Sequence, residues 1–443
     1  MKPYSRREFI KTGAVAAAGL SVMPNILLGN DDRKVRLGFV GVGLRGSSLL
    51  ELAARRKDTI INAICDINPE ATQNAAKILQ EHGKSAKEFY NGEEDYKKLV
   101  ARDDLDAVII ATPWVWHTPM AVAAMRAGKY AGVEVPAALT LEECWDLVNA
   151  SEETGMPCMM LENVCYRRDV MAVLNMVRQN MFGELLHCQC GYQHDLRHVK
   201  FEPGVEFGEN GVHEARWRTE HSVKRNGDLY PTHGAGPIAK MLDVNTGNRF
   251  LAISSMATKS RGLHNYIVEK GGADHPNAKV QFALGDIVTS MIKCANGETV
   301  VVSHDTNLPR PYSLMFRVQG TRGLWMDDND SIYIEGVSEK PHKWDKFKDY
   351  QKKYDHPLWK KHEKDAEGAG HGGMDYFVIN AFVEAAKRKV PTTQDVYDAA
   401  AISAIVELSE RSVSLGGAPQ EFPDFTGGRW IRRKNVYKFN DEY

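Results

Sequence analysis

Val35 to Arg56 reads VRLGFVGVGLRGSSLLELAARR. Its first six residues form a nearly continuous apolar run, the pattern of a strand buried on both faces. SSLLELAARR then takes on helical spacing, and between the two patterns lies Gly41-x-Gly43-x-x-Gly46. A strand that runs through three such glycines into a helix suits a tight turn. There, backbone N–H groups approach a pyrophosphate closely at a helix N-terminus. The pattern alone is weak, but Asp66 closes the next strand, twenty positions after Gly46, where an acidic group would accept from ribose hydroxyls. That carboxylate would repel a 2′-phosphate, which favours NAD over NADP, although Arg45 within the turn could itself meet a phosphate. Gly41, Gly43, Leu44, Arg45, Gly46 and Asp66 are therefore the first cofactor-binding candidates.

Strand and helix patterns alternate outward from this stretch. IINAICD, DAVIIAT, YAGVEV and PCMMLEN read as further strands, with HTPMAVAAMRAGK and LEECWDLVNASEETG as helices between them. Asn68-Pro69-Glu70 caps and opens one helix, and Thr140 with Glu143 forms a capping box for another. The alternation predicts an α/β fold with a Rossmann-type, doubly wound parallel sheet, placed in a domain over residues 31–163. TPWVWH follows the third strand at its carboxyl end, where open α/β sheets place ligands, so Trp114, Trp116 and His117 could line the cofactor. Beyond residue 163 long strands dominate, with Asn296-Gly297 as a hairpin turn signal. Residues 164–443 thus read as an α+β domain built on a large open antiparallel sheet. Helices are added to it, including a late stretch over 374–416. Loops rich in Gly, His and aromatics are expected at 194–235, 304–312 and 366–376.

Composition narrows the class. The 443 residues carry a formal charge of −2, which gives no whole-chain reason to expect nucleic acid or an anionic membrane as partner. Ser5-Arg6-Arg7-Glu8-Phe9 precedes a modest apolar stretch of small residues, the form of a twin-arginine export signal over residues 1–30. Such a route moves folded protein, so a cofactor could be captured in the cytoplasm and carried to the periplasm. The seven cysteines are odd in number and sit mostly in apolar runs, which favours buried free thiols. His194 and His198 stand four apart but have no third ligand, and no metal is expected.

Taken together, GVGLRG, TPWVWH, GVEVPAALTLEECWDLV, GYQHDLR, GDLYPTHGAGP, CANGETVVVSHDTNLPRPYSL and GAGHGGMDYF resemble glycoside hydrolase family 109. The founding activity of that family is α-N-acetylgalactosaminidase. The resemblance runs from about residue 34 to the C-terminus and places the chain within the Gfo/Idh/MocA oxidoreductase superfamily. It implies a redox-neutral hydrolysis in which tightly held NAD oxidises the C3 hydroxyl of the sugar. The C2 proton is then lost, the glycosidic oxygen leaves, water adds and the ring is re-reduced, outside the usual paired-carboxylate scheme. The wider superfamily commonly has Glu-Lys-Pro where this chain has Glu134-Val135-Pro136. A dehydrogenase needs that lysine to help deprotonate the alcohol, whereas a redox-neutral hydrolase can take its acid and base from elsewhere. An exported sugar oxidoreductase with net hydride transfer is the alternative, and the missing lysine argues against it.

The resemblance also assigns residues. His233 in YPTHG is the catalytic candidate, in a Gly/Pro-flanked turn where an imidazole suits general base work. Tyr230 shares that site as acid, base or sugar partner. Tyr192, Arg218 and Tyr312 are expected on the substrate, while Glu134, Val135 and Asn163 are expected on the cofactor. His371 lies in a Gly-rich loop that could reach the site. The partners implied are a small or glycan-terminal sugar and further copies of the chain in a homo-oligomer.

Overall fold

The computed structural model describes residues 33–209, 211–435 and 437. The twin-arginine segment lies outside the described residues. Six short strands, β1 (Val35–Val40), β2 (Thr59–Cys65), β3 (Lys87–Phe89), β4 (Ala107–Ile110), β5 (Tyr130–Val133) and β6 (Cys158–Met160), lie parallel in the order β3-β2-β1-β4-β5-β6. β4, β5 and β6 are buried throughout, as crossover helices on both faces require. The helices between them are α1 (Leu44–Arg55), α2 (Pro69–Glu81), α3 (Asp95–Val100), α4 (His117–Arg126) and α5 (Leu141–Thr154). Both expected caps are present: Asn68 accepts from the Glu70 N–H ahead of Pro69, and Thr140 with Glu143 closes a capping box. Strand order reverses between β1 and β4, which opens a crevice at their carboxyl ends.

The second sheet has nine strands. After α6 (Arg168–Arg178) come β7 (Leu185–Gln193), α7 (Arg197–Lys200), α8 (His213–Lys224) and α9 (Thr232–Met241). There follow β8 (Phe250–Ala257), α10 (Gly262–Gly271), β9 (Ile287–Cys294), β10 (Thr299–Asp305), β11 (Arg317–Gly320), β12 (Gly323–Met326) and β13 (Ser331–Ile334). The two-residue strands β14 (Asp345–Lys346) and β15 (Gln420–Glu421) close the edges, in the order β14-β13-β12-β11-β7-β10-β9-β8-β15. The sheet is mixed rather than purely antiparallel. The long excursion through α7–α9 returns as the β8-β9-β10 meander, so β10 runs parallel to β7, with Tyr192 opposite His304. In β9, Val288, Ser290, Ile292 and Cys294 face the core while Thr289, Met291 and Lys293 face out.

Two expectations for local structure change. Residues 194–235 are not one loop but contain α7, α8 and the start of α9. The late helical stretch is two helices, α13 (Met374–Arg388) and α14 (Val396–Ser414), interrupted around Pro391; α11 (Phe347–Tyr354) and α12 (Pro357–Ala366) precede them. Both late helices pack back on the parallel sheet. A Cβ on Gly132 of β5 would lie 3.0 Å from the Phe382 ring, and the Met160 N–H donates to the Gln394 carbonyl. This return brings the start of α13 to the nucleotide crevice, 212 residues beyond Asn163.

Candidate active site

The glycine turn is built for close approach. Gly41 has φ +80°, and an added Cβ there would lie 2.6 Å from the Ala111 carbonyl. A Cβ on Gly46 would sit 1.8 Å from the Gly41 carbonyl, which fixes the packing of α1 on the turn. At Gly43, by contrast, a Cβ would meet no atom within 4 Å, and no side chain caps the first N–H groups of α1. Asp66 accepts from the Val42 and Asn68 N–H groups at 2.9 Å each, which holds its carboxylate at the tip of the turn. Leu44, the first residue of α1, is exposed.

Across the crevice Asp375, at the start of α13, gathers three side chains. Arg45 donates to Asp375 at 2.7 and 3.0 Å and to Glu134 at 2.6 Å. Asn163 donates through Nδ2 at 2.7 Å, and His371 Nδ1 lies 2.7 Å away. Although burial works against it, hydrogen bonds from His371 and Arg45 hold the Asp375 carboxyl well below its ordinary range. The same bond to Asp375 raises the His371 imidazole. Arg45, read as a group that could meet a phosphate, has its guanidinium committed to two carboxylates instead. The buried Asn163 Oδ1 has no partner among the described residues, and Val135 is buried beside Glu134. An open glycine turn, a carboxylate held at its tip and an unpartnered buried carbonyl together fit a dinucleotide.

A second side-chain cluster is assembled on β7, α8 and α9. His233 lies in the first turn of α9 rather than in a loop. The glycines around it read as turn residues but serve helix packing. A Cβ on Gly234 would lie 2.6 Å from the Gly191 nitrogen, and one on Gly236 would lie 2.9 Å from Glu162 Cγ. His233 Nδ1 is 2.8 Å from Glu162, whose fully buried carboxylate also accepts from the Val164 N–H. The imidazole meets Tyr230 and Tyr192 edge-on, with ring centres 5.0 and 5.5 Å away. The Tyr192 hydroxyl bonds His194 Nδ1 at 3.0 Å, and Tyr312 packs against His194 at 4.9 Å, half exposed at the mouth. Burial pushes the Tyr192 phenol up to about 12 and raises the Tyr230 phenol well above its ordinary value. Arg218 donates to Glu214 at 2.7 Å and lies over Trp114, Trp217 and Tyr230 at 4.9–5.6 Å.

Trp114, expected against the cofactor, stacks on Tyr230 at 5.5 Å, within the cluster around His233. Trp116 packs edge-on against Tyr96. His117 is buried, with its ring nitrogens each 2.7 Å from the carbonyls of Thr112 and Pro136, so it braces two strand-end loops rather than offering an edge to a ligand. Sequence reasoning missed Glu162 and Asp375. A charged residue closing the apolar strand PCMML was a usable signal for Glu162. Asp375 gave none, because its partners are remote in sequence.

Residues 166–432 match the family model described as glycosyl hydrolase 109, C-terminal domain. Residues 35–162 match that of the oxidoreductase family, NAD-binding Rossmann fold. The chain is 52% identical over 464 residues to an alpha-N-acetylgalactosaminidase of Tannerella forsythia, covering 98% of this chain and 99% of the relative. It is 54% identical over 456 residues to a glycosyl hydrolase family 109 protein of Stenotrophomonas maltophilia, covering all of both. Among solved structures, levoglucosan dehydrogenase in complex with NADH and levoglucosan shares the fold, with TM-score 0.67 at 19% identity over 88% of this chain and 100% of that one. Glycine turn, nucleotide crevice and sequence likeness over nearly the whole length lead to one conclusion: the chain belongs to glycosyl hydrolase family 109, built on an NAD-binding Rossmann fold.

Proposed function

We propose that the protein is an NAD-dependent retaining glycosidase acting on α-N-acetylgalactosaminides without net redox change. The observation that carries this reading is the His233–Glu162 pair set among the phenols of Tyr192 and Tyr230, beside a crevice that fits a dinucleotide. The glycine turn, Asp66 and Asn163 would hold NAD. When bound, NAD supplies reversible oxidation of the ring hydroxyl at carbon 3, which acidifies the proton on carbon 2.

Glu162 at Nδ1 favours the tautomer in which the other ring nitrogen of His233 accepts the hydroxyl proton. Raised by burial, the phenols of Tyr192 and Tyr230 stay protonated near neutrality and donate to sugar oxygens. Tyr230, between His233 and Trp114, is the second proton-handling group. Arg218 and Tyr312 hold the sugar hydroxyls or the acetamido carbonyl. With His233 and the phenols handling protons, the lysine replaced by Val135 is not required. Redox neutrality also supports export with NAD tightly bound, by the twin-arginine route to the periplasm. Leu251, Met256 and Met291, exposed on β8 and β9 of the nine-stranded sheet, give it an apolar outward face that a second copy could cover in a homo-oligomer.

The test is a screen of chromogenic α- and β-glycosides on purified protein, with bound nucleotide followed by absorbance. Release of aglycone from the α-N-acetylgalactosaminide without NADH build-up is expected. Steady NADH accumulation without cleavage would overturn the reading in favour of a sugar dehydrogenase.

A further inference from the structure

Behind Tyr192 and Tyr230 lies a small cavity, bounded also by Trp114, Arg218, Lys200 and His304, with room for a single water molecule. Lys200 ends α7 and is almost fully buried. Its ammonium donates to Thr306 Oγ1 and Asn307 Oδ1 at 2.7 Å each, and both of these partners are neutral. His304 stands beside Tyr192 across the β7–β10 pair, and its buried Nδ1 has no partner among the described residues. An ammonium with a third proton to donate and an unpartnered imidazole nitrogen, both on one water-sized cavity, are what a buried water needs as partners.

We propose that this cavity seats one water between the Lys200 ammonium and His304 Nδ1, and that Lys200 is a positioning residue which, through this water, lends a proton to the Tyr192 or Tyr230 phenol as that phenol gives its own to the sugar, and takes it back when the added water is deprotonated. The role of Lys200 rests on the glycosidase reading; the seated water does not. The surrounding charges suit a group that titrates near neutrality. Burial draws Lys200 down to about 7, Arg218 works in the same direction, and Asp305, Asp286 and Asp195 oppose it. Burial holds His304 near 3, so its ring is neutral at working pH and can accept from the water. The ammonium is fully present below about pH 7 and lost above it, so proton supply to the phenols falls on the alkaline side.

Lys200→Gln keeps hydrogen bonds to Thr306 and Asn307 but cannot titrate. It is expected to lower kcat roughly 10- to 100-fold with little change in KM, and to abolish the inflection near pH 7 in the kcat profile. His304→Leu, which leaves the Lys200 bonds intact and fills the cavity, is expected to lower kcat similarly and serves if the first variant does not fold. Wild-type pH profiles in a folded variant would overturn the proposal. Two arms need no substrate: a crystal structure of the holoenzyme, expected to show the cavity water, and ¹³C-lysine NMR, expected to show Lys200 titrating near 7. A dry cavity, or a Lys200 that titrates near the ordinary lysine value of about 10.4, would equally overturn it. If the wild-type protein cleaves no glycoside, the glycosidase reading alone fails, and these two arms still decide the seated water and the Lys200 titration.

Discussion

Under the proposed mechanism, the chemistry at His233 turns on which ring nitrogen holds the proton. The fully buried Glu162 carboxylate beside Nδ1 fixes that choice and steadies the imidazolium that forms when the ring accepts a proton. His233→Ala is expected to lower kcat by roughly 10²–10⁴-fold, the usual contribution of a general acid–base group, with NAD still bound. Near-wild-type turnover would remove His233 from the mechanism. Glu162→Gln can still cap the Val164 N–H, yet its amide can present either a donor or an acceptor to the ring. A kcat loss of roughly 10²-fold or more is expected, by the logic of a miscued histidine tautomer, with the ultraviolet spectrum of bound nucleotide unchanged. Unaltered kcat would show that the carboxylate only builds the fold. His233 was visible as a candidate in YPTHG because a histidine between proline and glycine is rarely a core residue. Its partner was not, because a pairing across 71 positions leaves no periodic trace.

The elements explain where reading from sequence succeeds and where it stops. β1, the glycine turn and α1 were legible because strand, turn and helix signals fall within about twenty consecutive residues and agree. α9 was not, because its glycines mimic a loop. Helix propensity alone predicts that Gly236→Ala should stabilise α9 by up to about 1 kcal/mol. The close approach of Glu162 Cγ, 2.9 Å from the added Cβ, predicts the opposite sign. We expect a destabilisation of about 1–3 kcal/mol, typical of overpacking, together with reduced kcat as Glu162 is displaced. A more stable and fully active variant would contradict this packing. The Gly-rich segment ahead of α13 carries a pH dependence of its own. His371 is raised by its bond to Asp375, so the stability it contributes is fully present below the unfolded imidazole value of about 6.5 and is lost as pH rises through the folded value. Asp375 is lowered, so its own contribution persists until acid pH. The melting-temperature gap between wild type and His371→Ala should therefore be widest near pH 6 and close toward pH 9. A constant gap would mean that the pair contributes nothing ionic.

Over the whole molecule, the two-sheet architecture was readable because strand and helix patterns alternate up to residue 163 and long strands dominate beyond it. What escaped are joints made by distant segments: the parallel β7–β10 pair and the return of α13 onto the nucleotide crevice. The site depends on those joints. Asp375 ties Arg45, Asn163 and His371 together, and Trp114, in the turn after β4, stacks on Tyr230 ahead of α9. A crevice shared in this way suits a reaction in which the oxidising group and the proton-handling groups act on adjacent carbons of one sugar ring. The most direct test uses an α-N-acetylgalactosaminide deuterated at carbon 2, cleaved in ordinary water, with the released sugar weighed by mass spectrometry. The account predicts that the label is exchanged for solvent hydrogen during turnover. Released sugar that keeps its deuterium would contradict it.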